Sequence, residues 1–117
     1  MKRVITLPYP DMKLSPNQKN GKHWTSTKSI KDSAKEAGYY IAKVCYANEK
    51  PESVTTPLTI TFTQSDRRKR DLDNLLSASK ATLDGIAKGM GIDDSLFEPI
   101  TIKRGFDTQS YMRVEIG

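Results

Sequence analysis

LTITFTQSDRRKRDLDNLLSASKATLDGIAKGMGIDD, residues 58–94, changes its apolar period midway, and that change decides the fold. Leu58, Ile60 and Phe62 alternate with Thr59, Thr61 and Thr63, the period of two expected of a strand with one buried face. Past the basic run, Leu72, Leu75, Leu76, Ser79, Leu83, Ile86 and Met90 lie within about 60° of one direction at about 100° per residue. This predicts one amphipathic helix with a leucine-rich stripe turned to the core. Asp73, Ser77, Lys80 and Asp84 gather on an adjacent polar side, with Asp73 and Lys80 nearly in line and about 10 Å apart along the axis.

Downstream of this stretch, ITIKRGF (100–106) and MRVEI (112–116) alternate as strands, and DTQS (107–110) between them predicts a hairpin. Upstream, RVITL (3–7) reads as a short strand ended by Pro8 and Pro10, and residues 9–24 as a long loop rich in Pro, Asn, Gly and Lys. Thr25, Ser26 and Thr27 are candidate caps for a helix with a stripe of Ile30, Ala34, Ala37, Ile41 and Val44, and Pro51 stops any continuation. The expected architecture is α/β, a small mixed β-sheet with helices in the order β-α-β-α-β-β, forming one domain over residues 1–117.

With 36% hydrophobic and 28% charged residues, the composition is that of a globular protein, and no apolar run reaches the ~20 residues of a membrane span. MKRVITLPYP lacks the apolar core of a signal peptide, so a cytoplasmic location is expected. Cys45 is the sole cysteine and is expected to be a small core residue; one histidine excludes a multi-histidine zinc site within one chain. A net charge of +5 and a pI near 9.4 favour a polyanionic partner such as nucleic acid.

The chemistry concentrates in residues 66–94. Asp71 and Asp73 flank Leu72, and Asp93 and Asp94 follow the helix. Crowded carboxylates repel one another, and folding alone gives little reason to set them beside a basic run. Asp71, Asp73 and Asp94 are candidate ligands of an open Mg²⁺ site, since this ion commonly takes one or two carboxylates together with water and phosphate oxygens. The competing structural reading makes Asp71 a helix N-cap and Asp73 a partner of the helix dipole. Lys80 is either a catalytic group near a scissile phosphate or half of an ordinary i,i+4 pair with Asp84. Arg67, Arg68, Lys69 and Arg70, with Lys13, Lys19 and Lys22 of the long loop, are candidate phosphate contacts or simply solvated charge. Trp24 is expected to pack on the core rather than stack on a base, and His23 is a further candidate phosphate contact.

RRKRDLDNL, KATLDGI and GIDDS together resemble the RusA family of Holliday-junction resolvases, and ITLPYP and SPN followed by HW resemble its opening strand and loop more weakly. The resemblance implies a RusA-like endonuclease domain. It would be a homodimer that resolves four-way DNA junctions in recombination and repair, by hydrolysis dependent on Mg²⁺, or Mn²⁺ in its place. It also implies Asp71, Asp73 and Asp94 as the metal site, with Asp93 the alternative third acid, and Lys80 as a catalytic accessory. The sequence departs from the family where the lysine often follows the Asn by three residues: Lys80 is six after Asn74. In a continuous helix that insertion displaces it by about 60° and about 4.5 Å. The competing function, from a different class, is a non-catalytic junction-binding protein whose acids only cap helices.

Overall fold

The computed structural model describes residues 3–14, 24–46 and 55–117, with only the backbone of residues 24–26. Among the described residues, four strands form one mixed sheet: β1 (Arg3–Leu7), β2 (Thr56–Gln64), β3 (Phe97–Phe106) and β4 (Tyr111–Ile116). The order across the sheet is β1-β4-β2-β3; β4 runs antiparallel to both β1 and β2, while β3 lies parallel to β2. Three helices join them, α1 (Trp24–Cys45), α2 (Leu72–Ala78) and α3 (Lys80–Met90), with single 3₁₀ turns at Met12–Leu14 and Asp94–Leu96.

The period of two in β2 does what it predicts. Leu58, Ile60 and Phe62 are fully buried beside Ile116, Val114 and Met112 of β4, while Thr59 and Thr61 share the other face with Glu115 and Arg113. Ile5 and Leu7 of β1 extend the apolar face, and Leu75, Leu83, Ile86 and Ala42 from the helices complete one core. At roughly 25 cal/mol per Å² of apolar area, each such aliphatic side chain contributes about 1.5–3 kcal/mol when buried.

Three expectations are corrected. β3 and β4 are not a hairpin: β2 lies between them, and residues 107–110 carry the chain over its end. That crossing is held where the Asp107 N–H donates to the Gln64 carbonyl (3.2 Å) and the Ser65 N–H to Ser110 Oγ (3.0 Å). The single helix from Leu72 to Met90 is also divided, at Ser79, which has φ −94° and ψ 0°. Ser79 Oγ donates to the Leu76 carbonyl (2.8 Å), occupying the acceptor that the Lys80 N–H of a continuous helix would use. The collinearity of Asp73 and Lys80 therefore does not carry across the break.

The stripe of α1 holds at Ala37 and Ile41, which pack against the core, and fails at its end, Val44. Val44 is 77% exposed, whereas Ala42 is fully buried and Gly38 is also covered. The cause is close packing of α1 against α3. A methyl placed on Gly38 would strike the Thr82 carbonyl, one on Gly85 the Lys35 carbonyl, and one on Gly89 the Tyr39 carbonyl. Backbones this near admit only small residues at the seam, so the line of closest contact follows the small side chains rather than the bulkiest ones. Cys45 is half-buried against the core, as expected, and its carbonyl accepts a hydrogen bond from Arg3 Nη1. Among the described residues, no helix is long and apolar enough to cross a membrane.

Candidate nucleic-acid and metal site

β2 ends at Gln64, a polar residue in the apolar register of Leu58, Ile60 and Phe62, and only 1% exposed. Its Nε2 donates to the carbonyls of Arg68 (2.7 Å) and Asp66 (3.0 Å) and lies 3.3 Å from Asp66 Oδ1, while Oε1 accepts from the Tyr9 hydroxyl (3.3 Å). The loop folds around this amide. Asp66 Oδ1 also accepts from the Arg68 N–H (3.2 Å) and from Arg70 Nη1 (2.9 Å), and Arg70 Nη2 reaches Asp66 Oδ2 at 3.3 Å.

These contacts separate the four basic residues into two kinds. Arg70 is turned inward, its guanidinium paired with Asp66 and 5.6 Å from the centre of the Tyr9 ring. The hydrogen bond from Arg70 holds the Asp66 carboxyl below the usual range, and the same bond raises the Arg70 guanidinium. Burial, ahead of the opposing charge of Arg70, raises the Tyr9 phenol. Arg67, Arg68 and Lys69 are exposed, and their side chains form no hydrogen bond or ion pair with another described residue. Lys13 is exposed on the 3₁₀ turn; Lys19, Lys22 and His23 lie outside the described residues, as does the Trp24 side chain.

Asp71 opens α2 in extended conformation (φ −71°, ψ 134°), and its carbonyl accepts the Leu75 N–H at 3.0 Å. Among the described residues, its carboxylate caps no backbone N–H and meets only the Asn74 amide, at 3.5 Å. The cap expected of Asp71 is therefore positional, and its charge remains exposed. Asp73, in the first turn of α2, is likewise exposed with no hydrogen bond or ion pair to another described residue. The start of α2 thus presents two solvent-facing carboxylates, separated from three solvent-facing cations by the inward-turned Arg70.

The second acid pair divides its labour. Asp93 caps the 3₁₀ turn, its side chain accepting the Ser95 N–H at 3.0 Å, and this bond lowers its pKa. Asp94 goes the other way: the Asp84 carboxyl, then Asp93, raise its pKa. Asp84, Asp93 and Asp94 line one cleft of about 390 Å³ with Lys35 and Lys88. Lys80, exposed at the first position of α3, forms no salt bridge with Asp84.

Asp94 is therefore brought to Asp84, and neither Asp71 nor Asp73 contributes to its shift. Among the described residues, no three carboxylate, histidine or cysteine side chains converge closely enough to hold an ion. The donor chemistry still suits a hard cation, since every candidate ligand is an exposed carboxylate. An ion held here would take one or two of them and fill its remaining positions with water and phosphate oxygens.

Tyr9, Gln64, Asp66 and Arg104, which support the loop, were not among the expected site residues. Arg104 comes from β3, and its Nε (3.3 Å) and Nη2 (2.7 Å) both donate to the Arg70 carbonyl. Gln64 alone leaves a signal in the sequence, an amide where the alternation of β2 calls for an apolar residue.

No family model matches the chain. An uncharacterized protein of Xylella fastidiosa (strain Temecula1 / ATCC 700964) is 35% identical over 95 residues, covering 80% of this chain. The match covers 61% of that protein, so the chain spans about three fifths of its relative's length.

Proposed function

We propose that this chain is a Mg²⁺-dependent, structure-selective endodeoxyribonuclease of RusA type, acting as a homodimer on four-way DNA junctions in the cytoplasm. The observation that carries the reading is the run from Arg67 to Asp73: three exposed cations and the inward-turned Arg70 precede two exposed carboxylates that pair with no cation among the described residues. A polyanion alone would be repelled by the acids, and a cation alone would have no need of the basic residues; a phosphodiester bound with a divalent ion satisfies both.

In this mechanism Arg67, Arg68 and Lys69 hold the DNA backbone, and Lys13 adds charge from the neighbouring turn. Asp71 and Asp73 would hold the ion and its water at the phosphate; Asp94, which the fold sets beside Asp84, is the third acid that the resemblance implies rather than one the geometry brings to them. When bound, Mg²⁺ supplies an activated water and stabilises charge on the phosphate and leaving oxygens. Lys80 would be the group that counters charge developing on the phosphate, the role the resemblance implies for it. Arg70 acts from behind, fixing the loop through Asp66 rather than contacting DNA. Two-fold symmetry would give a dimer two equivalent sites for the opposed strands of a junction.

A second reading, a non-catalytic junction-binding protein, draws on Asp93, whose carboxylate is occupied as a cap. The deciding experiment presents a mobile four-way junction, a matched duplex and a flap to purified protein, with and without Mg²⁺. Strand scission at the junction only with Mg²⁺ is expected. Junction binding indifferent to Mg²⁺, without scission, would establish the second reading instead.

A further inference from the structure

We propose that Gln64 is the positioning residue of the loop from Ser65 to Asp71, setting the direction in which Arg67, Arg68 and Lys69 project and the point at which Asp71 begins α2. The inference rests on the nuclease reading for its effect on cleavage, but not for its effect on the loop.

The geometry fixes the orientation of the amide. Two carbonyl oxygens, of Arg68 and Asp66, lie 2.7 and 3.0 Å from one end of the Gln64 side chain, so that end must be the NH₂ group. The other end is the oxygen, which accepts from Tyr9 at 3.3 Å. A side chain this buried gives up water, and it is retained only because the loop supplies its partners. In return, carbonyls two and four residues further on are tied to one rigid point at the end of β2.

The loop is held at both ends. Residues 107–110 pin its start, through the Ser110 hydroxyl on the Ser65 N–H, and the Arg104 guanidinium closes its end on the Arg70 carbonyl. Between them, Gln64 is, among the described residues, the buried side chain that reaches into the middle of the loop. Neighbouring cations repel one another and would favour a more open loop; the amide opposes this without adding a charge that would compete for phosphate.

Gln64→Glu tests this with almost no change of shape, because a carboxylate oxygen would then face the two carbonyls. Hydrogen exchange of the full chain should rise by about 10-fold or more in residues 65–71 and stay unchanged in β4. Single-turnover cleavage of a four-way junction with Mg²⁺ should fall by about 10- to 100-fold, measured well below the melting temperature. Tyr9→Phe, which removes only the hydroxyl that orients the amide, should shift both readouts the same way by less, and it carries the test if Gln64→Glu does not fold. Unchanged loop exchange, or an equal rise in every strand, would overturn the proposal and leave Gln64 as an ordinary core residue. Loop exchange decides Gln64 whatever the wild-type chain does to DNA, whereas absence of wild-type cleavage counts against the nuclease reading alone.

Discussion

The loop of residues 65–71 and the acidic corner of Asp84, Asp93 and Asp94 treat charge in opposite ways. In the loop, opposite charges and a buried amide satisfy one another, and Asp66 is easier to ionise than an ordinary aspartate because Arg70 bonds to it. At the corner, like charges face each other, and Asp94 is harder to ionise because of Asp84. The loop is built to keep its shape unaided. The corner keeps a like-charge contact between Asp84 and Asp94, although Lys35 and Lys88 line the same cleft.

The largest expected effect separates the two regions physically. Gly85→Ala drives a methyl into the Lys35 carbonyl, and overpacking of this kind costs about 1–3 kcal/mol. Thermal melting should shift downward, and exchange should rise in α1 and α3 before the 65–71 loop, since Asp84 and Lys35 sit on that seam while Gln64 does not. An unchanged melting temperature would mean that the helices separate freely, and the corner would lose its fixed geometry.

Next in size, Asp73→Asn should lower junction cleavage by more than the roughly 10- to 100-fold typical of losing an outer-shell metal partner, with binding largely intact. Full Mg²⁺-dependent cleavage by that variant would remove Asp73 from the site. A smaller and purely electrostatic effect is expected for Arg67→Ala with Arg68→Ala. Each lost phosphate contact should flatten the dependence of log affinity on log salt by about 0.9, so about 1.8 for both. Arg70→Ala should instead loosen the loop, and a salt slope altered as much as by Arg67→Ala would place it on DNA after all.

The smallest effects are expected in the pH dependence of stability, with opposite signs in the two regions. Asp66 has a lowered folded pKa, so its contribution is present above the unfolded value, near pH 4, and is lost as pH falls through the folded one. Asp94 has a raised folded pKa, so stability is retained below about pH 4 and declines as pH rises through the raised value. Urea titrations across pH should show Asp66→Asn losing the first dependence and Asp94→Asn losing the second. The same sign for both variants would erase the contrast between loop and corner.

The strands were legible because burial on one face imposes a period of two that a short window reveals, as Leu58, Ile60 and Phe62 show. The break at Ser79 was not, because serine is compatible with a helix, and α2 ends where both the Ser79 hydroxyl and its N–H turn to the Leu76 carbonyl. That break falls between Asn74 and Lys80, so spacing counted along one continuous helix does not relate them. Val44 was misplaced for a related reason: periodicity locates a bulky stripe, whereas α1 is seated by the absence of side chains at Gly38, Gly85 and Gly89.

The sequence by itself determined which residues carry charge, where the chain changes from strand to helix, and that two acid pairs bracket the region. These are local properties, fixed by side-chain chemistry and spacing. Tertiary structure alone decided that β2 lies between β3 and β4, that Asp94 faces Asp84, and that Arg70 turns in while Arg67 to Lys69 turn out. Each of those outcomes depends on a partner distant along the chain, such as Tyr9 or Arg104, and no local spacing encodes a contact that only packing creates.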